Sequence, residues 1–170
     1  MTIIVEDGAG LANSESYASV SFADAYFASR ANDAWYALDN PAKEAALISA
    51  TDFIEATYSQ SWRGSKATAT QALSWPRLDV YLDGFALPSE AIPYRLIQAT
   101  AELAVRASAA PLVEDQGQRV VKEKVDVLET TYAEFSDPAQ RYPLVTRILA
   151  PLTIGATDGG SFQSVRLVRV

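Results

Sequence analysis

The stretch that decides the fold is residues 41–58, PAKEAALISATDFIEATY. Asn40 precedes it as a candidate helix cap, and Pro41 suits the first helical position, where a proline sacrifices no backbone hydrogen bond. The large apolar side chains recur at spacings that place them on one face of a helix: Leu47, Ile48, Phe53, Ile54 and Tyr58. The pattern therefore predicts a helix over 41–58 with one buried face.

Two helical segments are predicted upstream of this helix. Either Ser19 or Ser21 caps the first, which continues along an apolar stripe to Arg30. A short second turn covers 33–38 and carries two aromatic side chains. Both segments precede the long helix closely enough to pack against it.

Two more helices are predicted downstream. Residues 89–93 open a long helix whose apolar face continues until Pro111 ends it. The dipeptides Asp137-Pro138 and Tyr142-Pro143 introduce a short helix that Pro151 limits. Helical periodicity is thus the commonest regular pattern in the chain.

Two segments break this periodicity. Residues 119–132 are rich in valine, threonine and charged side chains that partly alternate, which predicts a strand or hairpin. Residues 59–92 keep no regular period and read as a long connection. We expect that connection to be pinned to the body by its apolar side chains, namely Trp62, Leu73, Trp75, Leu78, Tyr81, Leu82 and Phe85.

The fold class expected from these elements is mainly α. We predict a small helical bundle with a long pinned loop, a β-hairpin or arm, and a β-prone C-terminal tail. The corresponding organisation is an N-terminal arm over 1–18, a helical domain over 19–154 with its β-arm near 119–132, and a partner-binding tail over 155–170.

The composition excludes much of enzyme chemistry. Histidine and cysteine are both absent, which removes the usual base of a catalytic triad, the thiolate nucleophile and the common zinc ligands. The acidic pairs Glu6 with Asp7 and Glu114 with Asp115 read as solvated surface. We therefore expect no enzymatic activity, no cofactor and no metal. The most apolar windows are too short and too charged for a membrane span, so no membrane association is expected.

One cluster suggests nucleic-acid binding, because two indoles and three cations lie close in sequence. These residues are Trp62, Arg63, Lys66, Trp75 and Arg77. Indoles can stack on bases, and cations can meet phosphates. The formal charge of −7 opposes binding to a polyanion. Tryptophan flanked by leucines is also a common core anchor, and the core interpretation of Trp75 is favoured.

A second charged cluster lies in the predicted β-arm, at Arg119, Lys122, Lys124 and Asp126. Its mixed charges suit repeated contacts between copies, so we place it at a subunit interface or lumen. An exposed, solvated sheet face is the alternative.

The predicted tail is basic and β-prone, with two arginines and no acid between residues 161 and 170. A strand of this kind cannot form a sheet alone, so it must pair within the fold, pair with another chain, or stay disordered. We expect it to add to another chain, which satisfies its backbone groups. The predicted partner-binding residues are Ser161, Phe162, Gln163, Ser164, Val165, Arg166, Leu167, Val168, Arg169 and Val170.

The order of short motifs between residues 12 and 107 resembles a known family. The matching motifs are Ala12-Asn13-Ser14, Ser16-Tyr17, Ala23-Asp24-Ala25-Tyr26-Phe27, Ala34-Trp35, Lys43-Glu44-Ala45-Ala46-Leu47-Ile48, Ala50-Thr51-Asp52, Trp62-Arg63-Gly64, Gln71-Ala72-Leu73-Ser74-Trp75-Pro76-Arg77, Ile92-Pro93 and Ala101-Glu102-Leu103-Ala104. They are similar to the head-tail connector (portal adaptor) proteins of tailed phages, some of which carry the label DnaT-like single-stranded-DNA-binding protein. The most specific motif is the one at 71–77.

The resemblance implies a structural virion protein in the phage neck, assembled in the host cytoplasm. It implies a homo-oligomeric ring of twelve copies that joins the portal protein to the next neck or tail-completion protein. Double-stranded DNA would pass through the lumen during ejection without specific binding, and twelve copies would carry −84 formal charges at −7 each. The alternative is a DnaT-like replication module that binds single-stranded DNA.

Overall fold

The computed structural model describes residues 2–113, 122–125, 128–131 and 142–155, with the backbone alone for 122–125 and 128–131. The described part contains five α-helices. Their bounds are Val20–Ala28 (α1), Asp33–Tyr36 (α2), Asn40–Tyr58 (α3), Tyr94–Ala109 (α4) and Pro143–Leu149 (α5), and a 3₁₀ turn, Ala150–Leu152, follows α5. The mainly α fold class is confirmed.

Side-chain caps begin the first helices. Ser19, rather than Ser21, caps α1 and accepts a hydrogen bond from the Phe22 backbone N–H at 3.1 Å. α3 begins one residue earlier than predicted, because Asp39 and not Asn40 is its cap and accepts from Ala42 N at 2.9 Å. The two caps satisfy backbone donors that the first helical turn leaves without partners.

Six short strands form three antiparallel pairs in the described part. Their bounds are Ser65–Lys66 (β1), Arg77–Leu78 (β2), Tyr81–Leu82 (β3), Phe85–Ala86 (β4), Lys122–Val125 (β5) and Leu128–Thr131 (β6). β1 pairs with β2, β3 with β4, and β5 with β6. The last pair confirms the hairpin predicted within 119–132. The first two pairs lie inside the connection 59–92, for which no regular structure was predicted.

The β3–β4 hairpin turns tightly through Asp83 and Gly84. Both residues have positive φ, 52° and 84°, as a two-residue type I′ turn requires. Glycine and aspartate tolerate this left-handed conformation better than most residues. The turn projects the short hairpin from the connection.

The core lies between α3 and α4, and α5 packs against α4. Small residues on α4, such as Ala99 and Ala104, are fully buried and allow the helices to approach closely. The largest fully buried side chains come from every part of the described chain: Tyr17, Phe27, Trp35, Leu47, Ile54, Trp75, Leu96, Leu103, Leu149 and Leu152.

Asp24 joins the first three helices. Its carboxylate accepts hydrogen bonds from Trp35 Nε1 on α2 at 2.7 Å and from Lys43 Nζ on α3 at 2.8 Å. Trp35 is fully buried, so its N–H needs this partner. The contact explains why the short α2, predicted from two aromatic residues, is held in place.

The residues before α1 lie against the body and are organised by Glu6. Its side chain is only 2% exposed. The carboxylate accepts from the backbone N–H groups of Gly8, Gly10 and Leu11 and from Ser14 Oγ, at 2.8–3.1 Å. The expectation that Glu6 is a solvated acid is therefore wrong, because these donors replace the water that a carboxylate needs.

Candidate functional site

The two tryptophans proposed for base stacking lie inside the fold. Trp62 is 2% exposed and Trp75 is 1% exposed. Their rings meet edge to face with centroids 5.9 Å apart, and Trp62 also packs on Tyr58 at 5.8 Å. A base needs an open aromatic face, and neither indole offers one.

Arg77 is also turned inward and is 9% exposed. Its guanidinium donates to three backbone carbonyl oxygens: those of Arg63 at 2.6 Å, Gly64 at 2.7 Å and Ser74 at 3.1 Å. Burial lowers the pKa of this guanidinium, an effect that the nearby Tyr17 and Glu55 oppose. The planar fork of arginine thus fastens two loop segments together, and its donors are occupied by the backbone.

The other two cations of the cluster differ from each other. Arg63 Nε donates to the Thr153 carbonyl oxygen at 3.1 Å, and Arg63 N donates to the Leu152 carbonyl oxygen at 3.0 Å. Lys66 lies on β1 with an exposed side chain. Of the five residues predicted for nucleic acid, Lys66 is therefore the one whose side chain is exposed at the surface.

Gly64 completes this packing. It has φ +69°, and a Cβ atom there would overlap the Leu78 carbonyl oxygen and press on Val80. Only glycine suits both the conformation and the close approach. The Trp62-Arg63-Gly64 motif is accordingly a packing motif in this structure.

A carboxylate on α3 anchors the loop that contains Trp75. Glu55 accepts hydrogen bonds from Ser74 Oγ at 2.6 Å, from Ser74 N at 3.1 Å and from the hydroxyl of Tyr17. Tyr17 Oη in turn accepts from Trp75 N at 3.2 Å. Burial first, and then the negative charge of Glu55, raises the pKa of Tyr17 well above its usual value.

Gln71 stabilises the same loop by hydrogen bonds to the loop's own backbone. Its side-chain amide donates to the carbonyl oxygens of Leu73 at 2.9 Å and Pro76 at 3.0 Å. The Trp75–Pro76 peptide bond is cis. The polar side chains of the motif at 71–77 therefore hydrogen-bond to nearby backbone carbonyl groups and to Glu55, and its large apolar side chains pack in the core.

The exposed apolar side chains of the connection lie elsewhere, on the β3–β4 hairpin. Tyr81 is 61% exposed and Phe85 is 77% exposed. The prediction that they pin the connection to the body is wrong. The buried side chains of Trp62, Leu73, Trp75 and Val80 hold it instead.

The hairpin belongs to an acidic segment. Residues 78–94 contain Asp79, Asp83 and Glu90 and neither lysine nor arginine, and all three acids are exposed. Exposed aromatic side chains among acidic residues suit contact with a protein and oppose contact with a phosphate backbone. Pattern reasoning missed this surface because it assigned aromatic residues to the core.

The sequence over residues 1–170 matches the protein family described as "Putative DnaT-like ssDNA binding protein". The chain belongs to this DnaT-like family. No curated protein and no solved structure matches the chain.

Two further candidate sets of this DnaT-like protein stay predictions. Lys122 and Lys124 lie on β5, where the structure describes the backbone alone, and Arg119 and Asp126 fall outside the described residues. The tail at 161–170 also falls outside them.

Neither a metal-binding cluster nor a membrane-spanning helix is found among the described residues. No group of three or more acidic, histidine or cysteine side chains there could hold a metal ion. No helix in that part of the DnaT-like chain is long and apolar enough to cross a membrane.

Truncating Trp75 tests whether the indole supports the fold of the DnaT-like protein. Trp75→Ala leaves a cavity beside Trp62, and we expect it to lower the free energy of unfolding by roughly 3–5 kcal/mol. Phe85→Ala is the matched control, because its exposed ring should cost little. Urea unfolding of both variants gives the comparison, and equal midpoints would show that Trp75 is no core anchor.

The raised pKa of Tyr17 predicts a loss of stability in alkali. The unfolded chain releases the Tyr17 proton near pH 10, whereas the folded chain retains it to higher pH. The free energy of unfolding therefore falls as the pH rises above 10.

Tyr17→Phe is the control for this effect. It loses the hydrogen bond to Glu55 and is less stable at neutral pH, but its stability declines less steeply above pH 10. Urea titrations at successive pH values measure both slopes. Parallel slopes would contradict the assignment to Tyr17.

Proposed function

We propose that this protein is a structural, non-enzymatic component of a tailed-phage neck. In this role it forms a homo-oligomeric ring, of twelve copies by the resemblance, between the portal and the next neck or tail-completion protein. The tail at 161–170 adds as a strand to the portal or to a neighbouring copy. The ring belongs to the virion and is assembled in the host cytoplasm.

The observation that carries this proposal is the exposed, acidic β3–β4 hairpin. Tyr81 and Phe85 present aromatic surface to solvent, and residues 78–94 offer no cation. Aromatic side chains are enriched where proteins meet proteins, and their exposure on a monomer is costly unless a partner covers them. An assembly protein accounts for such a surface.

The interior position of the aromatic and cationic cluster also supports the proposal. Base stacking by Trp62 or Trp75 requires the core to open, and phosphate binding by Arg77 requires three carbonyl oxygens to lose their donor. The formal charge of −7 adds general repulsion. A channel that conducts DNA benefits from a wall that does not bind the phosphate backbone.

Binding of single-stranded DNA is the second candidate, and the description of the family favours it. In this candidate the exposed Lys66 supplies a cation, together with arginines of the segment 161–170. Binding would then depend strongly on salt, because few contacts would have to overcome the overall charge.

Deleting the gene from the phage separates the two functions. We expect normal DNA synthesis and DNA-filled heads that carry no tails, seen by electron microscopy of the lysate. Expression of the intact protein from a plasmid should restore tailed particles, and Lys66→Ala should restore them equally well. Reduced DNA synthesis with normal joining of heads and tails would instead establish the second candidate.

A further inference from the structure

The β3–β4 hairpin is a two-stranded sheet whose outer edges are unpaired among the described residues. It has two strands of two residues each, extended by a hydrogen bond from Leu87 N to the Val80 carbonyl oxygen at 2.8 Å. No third strand pairs with it among the described residues. Its outer edges therefore present backbone donors and acceptors that another strand can use.

An open groove of about 600 Å³ is lined by β2 and by residues that follow the hairpin in sequence. Leu78 lines this groove, and Asp7 and Glu90 line it as well. Together with Asp79, which precedes the hairpin, and Asp83 in its turn, these carboxylates give the region a negative charge. A matching partner is an extended segment with apolar and basic side chains.

This chain contains such a segment. Residues 161–170 carry Arg166 and Arg169, no acid, and the apolar residues Phe162, Val165, Leu167, Val168 and Val170. Its charge of +2 complements the −3 of residues 78–94. Its β-branched and aromatic residues favour an extended strand.

The last described residues also lie beside the connection that carries the hairpin. Thr153 bridges to Trp62 in antiparallel fashion, and Ile154 N donates to the Ser61 carbonyl oxygen at 2.7 Å. Arg77 of β2 is fastened to the adjoining Arg63 and Gly64. The 15 residues after Gly155 can span roughly 50 Å when extended, at about 3.3 Å per residue.

We propose that the β3–β4 hairpin binds residues 161–170 of a second copy of this chain by strand addition. The choice of a second copy rests on the proposed ring. The hairpin and residues 161–170 are different surfaces of one chain, so each copy uses both. Repeated head-to-tail contacts of this kind form a ring where the rotation between copies closes. Tyr81 and Phe85 then pack against the added strand, while Arg166 and Arg169 meet the carboxylates.

Cysteine cross-linking tests the contact in the full-length protein, because the chain has no native cysteine. Ala86→Cys places a thiol on β4, and Ser164→Cys places one on the segment. The two variants carry tags of different size and are mixed with a short bis-maleimide. We expect a covalent dimer of the two different chains.

Ala45→Cys is the matched control, because Ala45 is an exposed alanine on α3. Mixed with Ser164→Cys, it should give no such dimer. Equal dimer yields from both mixtures would overturn the proposal, as would no dimer from either. The double variant Ala86→Cys/Ser164→Cys covers binding within one chain. A cross-linked monomer from it, with no dimer from the mixture, would overturn the assignment to a second copy.

Neutralising the hairpin tests the role of charge. Asp79 and Asp83 have φ of 57° and 52°, and asparagine tolerates this conformation, so Asp79→Asn/Asp83→Asn should preserve the turn. We expect the cross-linking yield to fall several-fold. An unchanged yield would contradict the electrostatic part of the proposal.

The experiments distinguish the proposed contact at the hairpin from the proposed neck function. Tailless heads after gene deletion without the cross-link would retain the neck function and reject this surface. A cross-link in the mixture, with normal joining of heads and tails after gene deletion, would support this contact between copies and reject the neck function.

Discussion

The rest of the structure depends on the hydrogen bonds that the Glu55 carboxylate accepts. It projects from α3 and takes hydrogen bonds from Tyr17, which lies just before α1, and from Ser74 in the long connection. Three segments far apart in sequence thereby meet at one partly buried charge. Arg77 extends the arrangement to Arg63 and Gly64, and a partly buried carboxylate with several donors keeps its partners in one geometry.

This arrangement decides which residues remain for partners. The tryptophans and Arg77, which by composition suit nucleic acid, are used inside the molecule. The side chains left outside include the tyrosine and phenylalanine of a small hairpin among acids. The family description names single-stranded DNA, whereas the exposed surface of this member suits protein partners. The proposed function therefore rests on burial and not on residue type alone.

Periodicity predicted the helices well and the polar interior poorly. α3 and α4 follow from apolar residues repeated over four or more turns, a signal that tertiary packing reinforces. Strands of two residues, such as β1 to β4, are too short to show any period. Glu6 and Glu55 were missed because an acid in a sequence looks solvated until its donors come from distant or backbone groups. Tyr81 and Phe85 were misplaced because an aromatic residue in a loop gives no sign of which way it faces.

The most direct test of this account is collisional quenching of tryptophan fluorescence. All three tryptophans, Trp35, Trp62 and Trp75, are buried, so native emission should be blue-shifted, weakly quenched by iodide and unchanged by oligo-dT. Protein unfolded in urea serves as the reference for full quenching. Strong quenching of the native protein by iodide, relieved by oligo-dT, would show that an indole is open to bases and would contradict the account.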